Sequence, residues 1–163
     1  MNWRALILIS AVSAIVTLQA CHDKGGIAKT DPLLKAYDVE LDANDPQRVI
    51  PLNYQQAQGK RVFSNTCVWC HAEATPAGPS NRSNVTPTPP LFTDGETLNP
   101  LSDEFLQNTI TLGGEAMGKS TMMPPWGQTL RQDEIRALVA YIRAVAQPPY
   151  QPAARPASQY PVK

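Results

Sequence analysis

The pentapeptide Cys67-Val68-Trp69-Cys70-His71 constrains this chain more than any other feature of its 163 residues. Its pattern, C-x-x-C-H, is the signature of covalent c-type haem attachment. Two thiols three residues apart on one helical turn can add to the two vinyl groups of one haem, and the following histidine is thereby brought to the iron. The motif predicts that Cys67, Cys70 and His71 bind one haem c.

Other chemistries that use two cysteines at this spacing find less support in the chain. A thioredoxin-like centre needs a strand leading into the motif, and residues 54–66 do not read as one. A zinc site needs four ligands, and the only other histidine is His22. A disulfide between Cys67 and Cys70 would close a strained small ring; it stays open as a third interpretation, a colourless structural module.

An apolar run at the N-terminus predicts export. Arg4 is followed by residues 5–18 without a charge, which is the pattern of a signal peptide. The alternative, a transmembrane anchor, needs a run of about 20 residues. The segment Leu18-Gln19-Ala20-Cys21 resembles a bacterial lipobox, in which the cysteine becomes the lipidated first residue. We expect a periplasmic protein that is anchored to a membrane by a lipid at Cys21, which also accounts for the odd third cysteine.

Charge excludes one class of partner. The chain has 14 lysines and arginines against 14 aspartates and glutamates, so its formal net charge at pH 7 is zero. A nucleic-acid-binding protein would show a basic excess. We therefore expect no nucleic-acid partner.

The haem iron needs a sixth ligand or an open site. Methionine or a second histidine fills this position in electron-transfer proteins, whereas gas-binding proteins and peroxidases leave it open. With His22 beside the lipid, the candidates are Met117, Met122 and Met123. Two prolines follow Met123 and could hold its thioether in place. The alternative is that the methionines only fill gaps in the core.

Between residues 53 and 146 the chain resembles the class I c-type cytochromes. The haem motif, a Met-Pro loop and a last amphipathic helix follow each other in the family's order. The resemblance implies an all-α fold of three to five helices around one covalently bound haem, with Met123 as distal ligand and Met122 as the second choice.

The resemblance also assigns supporting roles. In the family, the carbonyl of a proline two residues before a leucine accepts the N–H of the axial imidazole, and Pro89 is the candidate in Pro89-Pro90-Leu91. The family's first and last helices cross at a glycine and an aromatic residue. Gly59 and Phe63 occupy these places here, and their expected partners on the last helix are Leu138 and Tyr141.

Local signals give the domain limits. We expect a signal peptide over residues 1–20, a flexible lipid-anchored tether over 21–52, a cytochrome domain over 53–146 and a disordered proline-rich tail over 147–163.

Helix caps are predicted at three places in the domain. They are Asn53 with Gln56, Ser102, and Thr129 with Gln132. Arg136 and Arg143 lie on the polar face of the last helix and are expected in solvent.

Coordination by His71 and Met123 leaves no open site for a substrate. The sequence therefore predicts an electron-transfer protein and not an enzyme. Its haem would cycle between Fe(II) and Fe(III) and pass single electrons between periplasmic or membrane-bound redox partners of unknown identity, alone or as the cytochrome subunit of a dehydrogenase or oxidase. The alternative is a haem enzyme or a gas or peroxide sensor with an open or labile distal site.

Overall fold

The computed structural model describes residues 32–152. Residues 1–31, which include the predicted signal peptide and Cys21, and residues 153–163 lie outside this range. The described chain contains five α-helical segments and two short two-stranded sheets, which confirms the all-α prediction. The helices are α1 (Tyr54–Val62), α2 (Val68–His71), α3 (Gly95–Leu98), α4 (Asp103–Ala116) and α5 (Gln132–Val145). The strands are β1 (Asp38–Leu41), β2 (Val49–Leu52), β3 (Ala74–Thr75) and β4 (Gly78–Pro79).

Single helical turns connect these elements. A π-helical turn, Phe63–Cys67, continues α1 into α2, and 3-10 turns occupy Pro32–Lys35, Arg82–Asn84 and Trp126–Gln128. Among residues 32–152, no helix has the length and apolar character to cross a membrane.

The last helix, α5, forms the centre of the core. Its apolar residues recur at three- and four-residue intervals, so they share one face. Seven of them are buried, Ala140 and Ala144 are half-buried, and Ile135 and Leu138 are fully enclosed. Full burial of such a side chain is worth about 1.5–3 kcal/mol. The helix therefore provides the surface on which the other elements pack.

Helices α1 and α5 cross in direct backbone contact, as the resemblance implied. A Cβ atom at Gly59 would overlap the carbonyl group of Ala137 and lie 2.7 Å from Cβ of Tyr141. The ring of Phe63 packs 5.6 Å from the ring of Tyr141. The crossing is confirmed, with Ala137 and not Leu138 as the closest backbone to Gly59.

Two of the three predicted helix caps are confirmed. The Asn53 side chain accepts from the Gln56 amide at 3.0 Å, and the Gln56 side chain accepts from the Asn53 amide at 2.9 Å. Ser102 caps α4 through the amide of Phe105.

The third cap is wrong. Thr129 ends a 3-10 turn, so α5 begins later and Glu134 accepts from the amide of Arg131 at 2.9 Å.

The expectation of a flexible tether over residues 21–52 is wrong for residues 32–52. Strands β1 and β2 form an antiparallel hairpin that packs on the helices. The Tyr141 hydroxyl donates to Glu40 at 2.9 Å, and the buried carboxylate of Asp42 accepts from the side chain of Gln147 at 3.0 Å. The inward face of β1 is polar, so a search for apolar periodicity misses this strand.

The chain also stays folded beyond residue 146. The amide of Gln147 donates to the carbonyl of Thr93 at 2.8 Å, and the carbonyl of Gln147 accepts from the amide of Gly95 at 2.9 Å. The predicted disordered tail over residues 147–163 is therefore wrong at its start.

Arg143 is not a solvated charge. Its side chain is only 8% exposed and forms an ion pair with Asp103 at 2.8 Å. It also donates to the carbonyl of Leu98 at 2.8 Å, and its guanidinium lies 4.1 Å from the ring centre of Tyr150. The expectation for Arg143 is wrong because its partners come from distant parts of the chain.

Candidate functional site

The C-x-x-C-H motif lies on an uninterrupted helical path. The π-helical turn ends at Cys67, and α2 carries Cys70 and His71. The hydroxyl of Thr66 donates to the carbonyl of Val62 within this turn. Both cysteines are free, so their sulfurs are available for thioether bonds.

The position of Cys67 suits a neutral sulfur. Burial raises the pKa of its thiol to about 11, although a hydrogen bond with the Thr66 side chain acts in the opposite direction. A thioether sulfur carries no charge either. The environment that keeps the free thiol neutral is therefore compatible with covalent attachment.

The His71 ring is held in one tautomer. Its Nδ1 lies 2.8 Å from the carbonyl oxygen of Pro90, and a carbonyl can only accept, so Nδ1 carries the proton. Burial lowers the pKa of His71, which favours the neutral ring that a metal requires. Within residues 32–152, Nε2 has no hydrogen-bond partner and is free to bind iron.

The carbonyl of Pro89 does not accept from His71, and that prediction is wrong by one residue. It accepts instead from Nε of Arg82 at 2.8 Å. Arg82 also lies 3.7 Å from Glu73, and its charge contributes to the lowered pKa of His71. Two adjacent carbonyls thus bind two different donors. Sequence analysis missed Arg82, because no local motif marks it.

The loop that carries the candidate methionines packs against the end of α4. Gly113 has a positive φ of 82°, which favours glycine. The amide of Gly114 donates to the carbonyl of Met123 at 2.9 Å, and a Cβ at Gly114 would lie 3.2 Å from Cβ of Met123. The two glycines therefore let the loop approach the helix closely.

The methionine candidates differ in burial. Met123 is half-buried and packs against the core, together with Trp126 and Leu130. Met122 is 59% exposed. Among the two adjacent methionines, only Met123 has the packing expected of a fixed ligand.

One aromatic ring packs against the histidine, and a second ring packs behind it. Phe92 is buried, with its ring 4.7 Å from that of Phe63 and 5.0 Å from that of His71. Trp69 of the motif is exposed, whereas Trp126 is half-buried. The two free thiols and the neutral imidazole of the motif, beside the ring of Phe92, fit a haem c.

The fold and this donor set define a class I c-type cytochrome. The family model described as Cytochrome C oxidase, cbb3-type, subunit III matches residues 55–142, which is more than half of the chain. The chain belongs to this family. It therefore carries covalently bound haem c with iron and acts as an electron carrier. A comparison with curated proteins found no match.

Proposed function

We propose that this protein is a membrane-anchored periplasmic carrier that uses His71 and Met123 as axial iron ligands and serves as a haem subunit of an oxidase-type complex. The observation that carries the proposal is the 2.8 Å contact between Nδ1 of His71 and the Pro90 carbonyl. The family match supports the association with an oxidase, and the redox partners are a donor and an acceptor protein.

Haem c supplies a one-electron Fe(III)/Fe(II) couple. Pro90 keeps the proton on Nδ1 of His71 and fixes the ring orientation, so that Nε2 is the nitrogen that would bind the iron. A hydrogen bond of this kind also increases the basicity of the ligating nitrogen. His71 would therefore be a strong, oriented ligand.

Met123 would supply the second protein ligand of the iron. Its backbone is fixed by the hydrogen bond to Gly114 and by the following Pro124 and Pro125. Bound to the iron, this thioether would keep water and small substrates from binding there. Histidine and methionine together raise the reduction potential.

Electrons would enter and leave near the exposed side chains of the motif helix and the methionine loop. Trp69 and Met122 are both exposed there. Apolar side chains around a cofactor edge suit brief contact with a partner protein, because they desolvate easily. We assign the partner contact to this region.

Export and anchoring belong to the same proposal. The apolar run over residues 5–18 directs the chain out of the cytoplasm, and Cys21 receives the lipid. Both features lie in the sequence before residue 32. The anchor would keep the haem domain close to membrane-bound partners.

Visible spectroscopy of Met123→Ala tests the ligand assignment, with Met122→Ala as its control. The wild type and the control are expected to show a six-coordinate low-spin spectrum, with the weak long-wavelength ferric band of methionine ligation. Met123→Ala should lose that band. An unchanged spectrum in Met123→Ala would contradict the assignment, and a high-spin wild type that binds carbon monoxide would favour the enzyme or sensor alternative.

A further inference from the structure

The hairpin of β1 and β2 has one wholly apolar face. Val39 lies opposite Pro51, and Leu41 lies opposite Val49, so these four residues share one side of the ladder. We call them the outer hairpin face. Val39 is 41% and Leu41 is 62% exposed.

The charged side chains of β1 point the other way. Asp38 and Glu40 lie 3.6 Å and 3.4 Å from Nζ of Lys60, and Glu40 also accepts from Tyr141. An antiparallel ribbon on a protein surface usually has its apolar side inward and its polar side in water. Strand β1 has the reverse arrangement, whereas Ile50 and Leu52 of β2 pack inward against the core. The outer face therefore stays exposed and can contact another apolar surface.

Strand addition does not explain this face. The outward amides of Val39 and Leu41 donate to the carboxylates of Asp38 and Glu40 at 2.7 Å and 3.1 Å. The Val39 carbonyl accepts from Lys60. The edge of β1 is thus already hydrogen-bonded, and contact must occur through the apolar side chains.

The position of the hairpin in the chain identifies what covers the face. The described structure begins at Pro32, only 11 residues after Cys21. Eleven extended residues span at most about 40 Å. A lipid at Cys21 would therefore hold the hairpin within reach of the membrane surface.

The surroundings of the face fit a lipid headgroup region. The rings of Tyr37 and Tyr54 form an exposed edge-to-face pair, 4.9 Å apart, beside the end of the ladder where β2 meets α1. Tyrosine rings are enriched at membrane interfaces, because one end is apolar and the other can be hydrated. Lys35 is exposed next to the hairpin and can approach anionic headgroups, whereas Arg48 forms an ion pair with Asp42 at 3.3 Å.

We propose that the outer hairpin face rests on the membrane to which Cys21 is attached, and so sets the orientation of the haem domain. The inference rests on the lipid anchor of the proposed function. It adds a second, reversible contact that restricts rotation of the domain about its anchor.

Thiol labelling of the full-chain holoprotein tests this contact. Cys67 and Cys70 are occupied in thioethers, and Cys21 carries the lipid, so the introduced thiol of Leu41→Cys is the one that reacts with a membrane-impermeant maleimide. Leu112→Cys on α4 is the matched control, because Leu112 is also a leucine and is 52% exposed. Each variant is labelled on vesicles of phosphatidylethanolamine and phosphatidylglycerol, and again in solution in the Cys21→Ser background.

A face that spends about nine tenths of its time on the membrane should slow labelling at position 41 about tenfold on vesicles, whereas position 112 should change less than about twofold. Flotation of the wild type with the vesicles tests the anchor separately. Protein that floats but labels equally fast at both positions overturns the membrane contact and indicates a protein partner for this face. Protein that does not float overturns the anchor, and with it this inference.

Discussion

The carbonyl oxygen of Pro90 lies 2.8 Å from Nδ1 of His71, one residue after a carbonyl that accepts from Arg82. The imidazole is therefore oriented by a segment that is itself held by a cation. Arg82 acts on the iron ligand in two ways, through the position of this segment and through its charge.

Replacement of Arg82 by glutamine is expected to lower the reduction potential. A positive charge near the haem disfavours the oxidised iron, so its removal favours Fe(III). One charge at about 10 Å in an effective dielectric constant of about 20 is worth roughly 1.7 kcal/mol, or about 70 mV. Glu73 offsets part of this, so we expect a fall of tens of millivolts by spectroelectrochemistry. Arg82→Lys keeps the charge and should shift the potential less; equal shifts in both variants would assign the effect to position alone.

Met123→Ala is expected to lower the potential much further. Axial-ligand identity sets haem potentials over about 0.8 V, so loss of the thioether should change the potential on the order of 0.1 V. Met122→Ala removes an exposed neighbour and should leave the potential within about a tenth of that change. The same titration measures both variants, and a large shift in Met122→Ala instead would exchange the two roles.

Gly59→Ala is expected to destabilise the fold. The added methyl group overlaps the Ala137 carbonyl and approaches Tyr141, so the two helices must separate. Overpacking of this kind costs about 1–3 kcal/mol, and more where backbone must move. Guanidinium unfolding of the holoprotein measures the loss.

Gly118→Ala is the control for that measurement. Gly118 has a positive φ of 66° but open space around it, so the substitution carries backbone strain without overlap. We expect a loss of about 1 kcal/mol. Similar losses at both glycines would contradict the close helix crossing.

Tyr141 is expected to make the free energy of unfolding decrease as the pH rises into the alkaline range. Burial, followed by the charge of Glu40 and the hydrogen bond to it, raises the pKa of Tyr141 above its ordinary value. Above about pH 10 the unfolded chain releases this proton while the folded chain retains it, so stability falls as pH rises, by up to about 1.4 kcal/mol per pH unit. Below that pH the group has no effect on the pH dependence.

Tyr141→Phe tests this assignment, with the exposed Tyr54→Phe as control. The unfolding free energy of the wild type and of the control should fall between pH 9 and pH 11 by more than that of Tyr141→Phe. Equal slopes in all three proteins would show that another group releases the proton.

The sequence was most informative where chemistry or sterics is local. The cysteine spacing indicates the haem, the Asn53 cap depends on a residue three positions away, and Gly59 follows the pattern of a helix crossing. The first two signals involve residues that are close together in the sequence. The third follows from the resemblance of a whole helix to its counterpart in the family.

Tertiary contacts explain the predictions that were wrong. Pro89 and Pro90 are both prolines, and only the course of the segment after Arg82 decides which carbonyl faces His71. Arg143 looks solvated on a helical wheel, but Asp103 and the carbonyl of Leu98 come from elsewhere in the chain. The apolar residues of strand β1 face outward and its polar residues face the protein, so its alternating pattern did not identify it as part of the folded domain.

The bond between Asp42 and Gln147 has a practical consequence for protein engineering. It ties the hairpin to the stretch after α5, and Gln147 in turn pairs with the backbone of Thr93 and Gly95. Both partners lie outside the region of family similarity, so a fragment trimmed to residues 55–142 would lack the buried Leu52 and the end of α5, and would expose the inner surface of α5 to water. An engineered fragment that keeps these contacts therefore extends from Tyr37 to Tyr150.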